Sequence, residues 1–180
     1  MKKVENEIKN YIKKNIRNIP DFPKPGIQFK DITPILSDKD ALELTSWLLA
    51  RPYEDNHVDV VVGLEARGFL FGTNLAMNLN AGFVPIRKPN KLPADTLSIS
   101  YDLEYGVDSL EIHNDSISKG DKVIIHDDLI ATGGSAVAAY ELINKLGGEV
   151  IGFSFIIGLN ELNGKSNLPS DVPVDILIEI

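Results

Sequence analysis

Apolar residues recur at two spacings along this chain, and the two spacings predict alternating helices and strands. Near the amino terminus they lie three or four positions apart, which predicts an amphipathic helix over residues 4–16. Further helices are predicted over residues 41–50, 69–79 and 134–146. Short apolar runs predict buried strands over residues 58–63, 83–86, 122–125, 150–157 and 174–178. Strands that alternate with helices form a mainly parallel sheet with helices on its faces.

Two segments do not fit this alternation. Residues 19–26 contain Pro20, Pro23 and Pro25, which exclude a helix and predict a stiff, extended connector. Residues 87–114 are long and mixed, with short strands predicted over 96–101 and 109–112. Because ligands bind beyond the carboxyl ends of parallel strands, this second segment is a candidate lid over a site there.

Composition narrows the function classes. The chain has 180 residues, which suits one domain, and its 26 acidic and 18 basic residues give a net charge of −8. Such a balance argues against nucleic acid as a partner. The chain has no cysteine, which excludes disulfides and thiolate metal sites. We see no secretory signal and no membrane-spanning apolar run, so we expect a cytoplasmic protein with no membrane partner.

Residues 123–135 carry the strongest chemical signal. A strand is predicted to end in Asp127 and Asp128, and a short turn then leads into a helix. The turn holds small and hydroxyl residues whose N–H groups bind anions at a helix start: Thr132, Gly133, Gly134 and Ser135.

Two interpretations of this segment compete. The two acids would repel a bare phosphate but suit ribose hydroxyls or a magnesium-bound sugar, which favours a phosphorylated sugar as ligand. The alternative is an ordinary capped helix, with Thr132 or Ser135 as the cap. A cap has no need of paired acids at the end of an apolar strand, so we favour the sugar-phosphate site.

The same residues resemble the phosphoribosyl-pyrophosphate signature of the type I phosphoribosyltransferases. Four other blocks, in the order typical of that family, are similar to its adenine-specific members: residues 20–34, 63–69, 87–93 and 101–106. The nucleotide-binding patterns G-x-x-x-x-G-K-[ST] and G-x-G-x-x-G do not occur.

The resemblance implies an α/β fold with a mainly parallel central sheet flanked by helices. It implies a single domain over residues 1–180, in which residues 1–35 form an N-terminal helix and a small hood. The implied reaction converts adenine and 5-phosphoribosyl-1-pyrophosphate to AMP and pyrophosphate. It implies Mg²⁺ held mainly by substrate, near Asp127 and Asp128, and a homodimer. Two alternatives stay open at this point: another purine as substrate, or a non-catalytic regulator that binds phosphoribosyl pyrophosphate.

The resemblance spreads the phosphoribosyl pyrophosphate site over three segments. The residues so implied are Asp127, Asp128, Ala131, Thr132, Gly133, Gly134 and Ser135; Glu65, Ala66 and Arg67; and Arg87, Lys88 and Lys91. A non-proline cis peptide bond is also implied in the loop of residues 65–68. The alternative interpretation of Arg67 is an ordinary salt-bridge partner, although an arginine in a glycine-rich strand-to-helix turn favours a functional role. The alternative interpretation of the cations of residues 87–91 is a solvated basic patch.

The family also implies the catalytic and base-binding residues. Glu104 is the expected acid or base, with Arg67 as a second catalytic residue. Tyr105 adjoins Glu104 in the lid. Adenine is expected between Phe29 and Leu159, with backbone groups at Gln28 and Lys30 at its amino edge. Without the family, Phe29 is equally well explained as a core residue.

Two residues depart from the family pattern. His126 stands where the signature has an apolar residue, and we expect it to be a buried structural histidine with a hydrogen-bond partner. Gly158 replaces a glutamate that is common before the Leu159 position, which weakens the case for residues 158–164 as a base-contacting loop. The stretch after Gly164 gives no functional signal.

Overall fold

A computed structural model describes residues 2–103 and 106–180, which fall into two compact units that divide after Leu48. The first unit contains α1 (Lys2–Lys14), β1 (Arg17–Pro20), β2 (Gln28–Asp31), α2 (Thr33–Ser37) and most of α3 (Lys39–Ala50). The second contains β3 (Val60–Leu64), α4 (Gly68–Asn78), β4 (Gly82–Ile86), β5 (Thr96–Leu103), β6 (Gly106–His113), β7 (Lys122–Ile130), α5 (Gly134–Leu146), β8 (Glu149–Gly158) and β9 (Val174–Glu179). Short 3-10 turns occupy Arg51–Tyr53, Asn160–Leu162 and Gly164–Asn167.

In the first unit the predicted connector is an antiparallel hairpin. β1 pairs with β2 from Arg17↔Asp31 to Pro20↔Gln28, and the loop between the strands carries Pro23 and Pro25. The Arg17 guanidinium donates to Asp31 at 3.0 and 2.6 Å, which holds the open end of the hairpin. The prolines did exclude a helix, but they gave no sign of the pairing.

In the second unit five parallel strands form one sheet in the order β4-β3-β7-β8-β9. This confirms the predicted α/β fold with a mainly parallel sheet. Every residue of β3 is buried, because the strand lies in the sheet interior with both faces covered. The parallel order brings the segments that follow β3, β7 and β8 to one edge of the sheet. The hairpin β5–β6 is a separate two-stranded sheet.

One strand is longer than predicted. β7 continues past Ile125 to Ile130, so Asp127 and Asp128 lie inside the strand and not at its end. The reason is the neighbouring strand, because β8 continues the parallel pairing through Asp127↔Phe155 to Ile130↔Gly158.

None of the helices in the described residues combines the length and the apolar character that a membrane span requires.

Candidate active site

The segment between β7 and α5 forms a glycine-rich turn, and we call residues 131–135 the cradle. Gly133 precedes the helix with φ +85°, a left-handed conformation that favours glycine. Within the described part of the chain, no side chain makes a capping hydrogen bond at this helix start. The alternative of a helix capped by Thr132 or Ser135 is therefore wrong, and the first N–H groups of α5 are left for another partner.

The cradle lines a cavity of about 120 Å³. One water needs only about 10–15 Å³ of such volume, so there is room for a polyatomic anion. All five predicted cradle residues line it: Ala131, Thr132, Gly133, Gly134 and Ser135. Tyr101, from the β5–β6 hairpin, also lines it.

The two acids of β7 lie close to the predicted arginine. Asp128 is 2% exposed, Asp127 is partly exposed, and Arg67 Nε lies 3.1 Å from Asp128 Oδ2. Burial raises the pKa of Asp127, and the neighbouring Asp128 raises it further. Burial also raises the pKa of Asp128, although Arg67 opposes that rise. The site thus holds acids whose ionised forms gain from a nearby cation or from hydroxyl donors.

The loop after β3 contains the expected non-proline cis peptide bond, between Glu65 and Ala66. Arg87 contacts both carboxylate oxygens of Glu65, at 3.1 and 3.2 Å, and the Lys88 backbone N–H donates to Glu65 at 2.7 Å. Burial raises the pKa of Glu65, but these hydrogen bonds outweigh it, so its pKa is lowered. Glu65 is therefore an anion that orients the loop and Arg87.

The cations of residues 87–91 have distinct partners. Lys88 forms an ion pair with Asp108, whose carboxylate also accepts from the Tyr101 hydroxyl at 3.1 Å. The Arg87 guanidinium lies 5.8 Å from the centre of the Phe69 ring. It also donates to the Lys91 carbonyl at 3.4 Å. These contacts join the end of β4 to the β5–β6 hairpin.

Comparison with known proteins decides the family. The phosphoribosyl transferase domain family matches residues 35–177. An adenine phosphoribosyltransferase of Sorangium cellulosum is 58% identical over 158 residues, which cover 88% of this chain and 79% of that protein. This chain belongs to the adenine phosphoribosyltransferase family.

Solved structures of the family agree with this assignment. Adenine phosphoribosyltransferase from Rhodothermus marinus superposes with a TM-score of 0.94 at 49% identity, covering 97% of this chain and 99% of that one. The Saccharomyces cerevisiae enzyme has a TM-score of 0.90 at 39% identity, covering 96% of this chain and 99% of that one. The yeast structure contains D-2,5-dideoxy-2,5-imino-altritol 1,6-bisphosphate and adenine.

Of the other residues expected from the adenine phosphoribosyltransferase resemblance, two lie outside the described part of the chain and one lies beside the cradle. Glu104 and Tyr105 lie outside the described residues, between β5 and β6. Leu159 follows β8, and its N–H donates to the Ile130 carbonyl at 3.1 Å, beside the start of the cradle.

The expected base-contacting residues of the first unit lie on β2. Phe29 makes an edge-to-face contact with Phe22, with ring centres 5.1 Å apart. The Gln28 side chain accepts a hydrogen bond from the Asn18 amide at 2.7 Å, and the Lys30 ammonium donates to the Asn18 side-chain oxygen at 3.0 Å. Their side chains are thus engaged within the hairpin, which is compatible with readout through the backbone.

The two departures from the family pattern are both buried. His126 is fully buried, and its Nδ1 lies 3.3 Å from the Ser154 hydroxyl. Burial lowers the pKa of His126 to about 4, so its ring is neutral at pH 7. At Gly158 an added Cβ would lie 3.0 Å from two atoms of Ile176. A larger side chain there requires Ile176 to shift.

The sequence did not indicate the residues that contact the backbone of the cradle. Asn167 donates to the Thr132 carbonyl at 2.9 Å, and Gly164 contacts the backbone of Ala131. Asn167 lies in the stretch after Gly164, for which the sequence gave no functional signal, and Gly164 ends the loop that was considered only for base contacts. The only available cue was the Asn163-Gly164 pair, which is typical of a tight turn.

Proposed function

We propose that this chain converts adenine and 5-phosphoribosyl-1-pyrophosphate to AMP and pyrophosphate. The observation that carries the proposal is the cradle, a helix start with no side-chain cap that follows the partly exposed Asp127 and the buried Asp128, in a member of the adenine phosphoribosyltransferase family. An N-terminal helix end with free N–H groups binds a phosphate. The acids supply acceptors for ribose hydroxyls. Together they fit a phosphorylated ribose better than a bare anion.

The leaving group requires positive charge, and we propose Arg67 as its first source. The Arg67 side chain is 36% exposed, and it joins the residue 65–68 loop to Asp128. A cation in this place neutralises charge that develops on the departing pyrophosphate. We propose that Ala66 adds a backbone contact and that Lys91 adds a cationic contact. Arg87 and Lys88 add cationic contacts once the ligand competes with their present partners, Glu65 and Asp108. Glu65 contributes by holding Arg87.

The two acids Asp127 and Asp128 fit an Mg²⁺ ion that is shared with the substrate better than one that is bound by protein ligands alone. Asp127 and Asp128 offer the hard oxygen ligands that Mg²⁺ prefers. The described residues contain no group of three or more His, Asp or Glu that could hold a metal. We therefore propose that the ion is held mainly by the oxygens of phosphoribosyl pyrophosphate, near these two acids. When bound, it neutralises part of the charge of the pyrophosphate.

We propose Glu104 as the group that accepts the proton. In the reaction a purine nitrogen forms a bond to the anomeric carbon, and the bond from that carbon to pyrophosphate breaks. The bonding electrons leave with pyrophosphate, and the proton of the purine nitrogen passes to Glu104. The transition state has oxocarbenium character, so water must be kept out. We assign that exclusion to Tyr105 and the rest of the lid.

The base contacts are also proposals. We propose that Phe29 packs on one face of adenine and Leu159 on the other, with backbone groups of Gln28 and Lys30 at the amino edge. The backbone has both a donor and an acceptor at each of these residues, so it can read that edge whatever the side chain. We further propose that the protein works in the cytoplasm as a homodimer.

The test is to identify the nucleotide formed from each purine. The protein is incubated with phosphoribosyl pyrophosphate, Mg²⁺ and one of adenine, guanine, hypoxanthine or xanthine, and the products are resolved by chromatography. We expect AMP from adenine at a rate far above that of any other nucleotide. Excess chelator should abolish pyrophosphate release. Faster formation of another nucleotide, or full activity in chelator, would overturn the corresponding part of the proposal.

A further inference from the structure

The 3-10 turn Gly164–Asn167 contacts the cradle backbone directly. A Cβ built on Gly164 would lie 2.1 Å from the Ala131 carbonyl oxygen and 2.8 Å from its carbon. Real Cβ atoms do not approach backbone this closely, so glycine is the only residue that fits without movement. Gly164 is buried. The contact is therefore one backbone packed on another.

The same contact restricts the cradle from its own side. A Cβ on Gly133 would lie 2.6 Å from the Gly164 carbonyl oxygen. Gly133 also has φ +85°, which favours glycine independently of the available space. Two glycines from separate parts of the chain thus face each other where the cradle turns into α5.

Asn167 adds a directional contact. Its side-chain amide donates to the Thr132 carbonyl at 2.9 Å. In a trans peptide the C=O and the following N–H point in opposite directions. Because the Thr132 carbonyl is turned toward Asn167, the N–H of Gly133 is turned away from it. Both Thr132 and Gly133 line the cavity.

We infer that the Gly164–Asn167 turn fixes the cradle in its anion-binding conformation before the ligand arrives. Asn167 is a positioning residue that fixes the orientation of the Thr132–Gly133 peptide. The close contact between Gly164 and the Ala131 backbone holds the turn against the cradle. A site ordered in advance loses less conformational freedom on binding, which raises affinity. This inference rests on the proposed function, in which the cradle holds the 5-phosphate of phosphoribosyl pyrophosphate.

The first test compares Asn167→Ala with Ser166→Ala. Both variants remove one side-chain hydrogen bond from the same turn, but the Ser166 hydroxyl donates to Asn163, at 2.8 Å, and not to the cradle. We expect Asn167→Ala to raise KM for phosphoribosyl pyrophosphate by about 3- to 10-fold, the worth of one hydrogen bond. KM for adenine and the melting temperature should stay near wild type. Ser166→Ala should leave all three quantities unchanged.

A second comparison tests the glycine contact. Gly164→Ala forces the Ala131 backbone to move, and we expect KM for phosphoribosyl pyrophosphate to rise at least about tenfold, on the scale of lost positioning contacts. Gly82→Ala is the matched control, because a Cβ there would meet its nearest atom at an ordinary 3.5 Å. That control should retain wild-type kinetics. If Gly164→Ala does not fold, the Asn167 comparison decides alone.

The outcomes separate this inference from the proposed function. If wild type makes AMP but Asn167→Ala keeps a normal KM for phosphoribosyl pyrophosphate, the inference is wrong and the proposed function stands. If wild type makes no AMP, the proposed function is wrong. The inference is then judged by calorimetric binding of ribose 5-phosphate, for which Asn167→Ala should bind about 3- to 10-fold more weakly than Ser166→Ala. Equal binding by the two variants would overturn it.

Discussion

Arg67 pairs with a carboxylate that has almost no contact with solvent. Asp128 is 2% exposed, and the Arg67 Nε lies 3.1 Å from it. Removing Arg67 leaves this buried carboxylate without its cation and destabilises the folded protein, but by less than in a fully buried pair, because the Arg67 side chain is 36% exposed. Arg67 therefore contributes to the stability of the site as well as to the proposed charge neutralisation. Kinetic effects of Arg67 variants must be read together with their melting temperatures.

Asp127→Asn should stabilise the ligand-free protein at neutral pH. The folded-state pKa of Asp127 is raised, first by burial and then by Asp128. The native state thus binds more protons than the unfolded state. Stability falls as pH rises from the unfolded pKa, about 3.9, through the folded pKa. Asparagine carries no charge, and its oxygen can still accept from the Asp128 N–H. Each 1 kcal/mol gained raises the melting temperature by about 2–4 °C.

The measurement is thermal unfolding at pH 5 and pH 7, with and without phosphoribosyl pyrophosphate. We expect the gain from Asp127→Asn to be larger at pH 7, and the stabilisation by ligand to be lost. The control is Asp115→Asn, at an exposed position, which should change neither quantity. A lower melting temperature for Asp127→Asn at pH 7 would contradict the raised pKa of Asp127.

Glu104→Gln tests the proposed acid or base. A lost proton acceptor typically lowers turnover by about 10²–10⁴-fold. Binding of phosphoribosyl pyrophosphate should stay close to wild type, because the proton moves between the base and Glu104. Steady-state kinetics and calorimetry measure the two effects separately. The matched control is Asp102→Asn, two residues earlier, which should retain turnover within a few-fold. Near-normal turnover of the Glu104 variant would show that Glu104 is not the group that accepts the proton.

At the scale of elements, periodic segments were predictable and paired ones were not. α5 was predicted over the residues that it occupies, because Gly147 ends it with φ +88° and the apolar spacing is regular. The β1–β2 hairpin and the extension of β7 were missed. Both depend on a neighbouring strand, and the sequence of one strand does not show what lies beside it. The same limit hid Asn167, whose partner is 35 residues away.

The Asp108 carboxylate of the β5–β6 hairpin binds the Lys88 ammonium. It therefore competes with pyrophosphate for Lys88 in the role that we propose for this lysine. Lys88 pairs with Asp108, and Tyr101 donates to the same carboxylate at 3.1 Å. Asp108→Asn weakens that pair, and Lys88 becomes more available. We therefore expect the KM for pyrophosphate in the reverse reaction to fall by about 2- to 5-fold, the worth of a partly exposed ion pair.

Reverse-reaction kinetics with AMP and pyrophosphate check this expectation. Glu111→Gln is the control on the same strand, because it removes a charge that contacts the Asn90 N–H at 3.0 Å and not Lys88. It should leave the KM for pyrophosphate unchanged. If both variants behave alike, Lys88 does not act at pyrophosphate in the way we propose.

In the whole molecule, α4 exposes two large apolar side chains, Leu70 and Met77, to solvent. Leu70 and Met77, seven residues apart, are 43% and 79% exposed, while Phe71 and Leu75 are buried. Residues at this spacing share one helix face. We expect this face to lie in the proposed homodimer, so Met77→Glu should convert a dimer of about 40 kDa, twice 19.8 kDa, into monomer.

Light scattering coupled to size-exclusion chromatography measures this directly. Val4→Glu is the control, because Val4 is an exposed apolar residue of α1 at 59% exposure and receives the same substitution. The control should remain dimeric. A monomeric wild type would contradict the homodimer, and a dimeric Met77→Glu variant would place its interface elsewhere.

Phosphoribosyl transfer to adenine is tested by quantifying AMP and pyrophosphate in the same reaction. Wild-type protein, adenine, phosphoribosyl pyrophosphate and Mg²⁺ are mixed, and both products are quantified over time. We expect equal amounts of AMP and pyrophosphate at every time point, because one glycosidic bond forms for each pyrophosphate released. Pyrophosphate without AMP would mean that the activated sugar is hydrolysed. The absence of both products would contradict the proposed transfer.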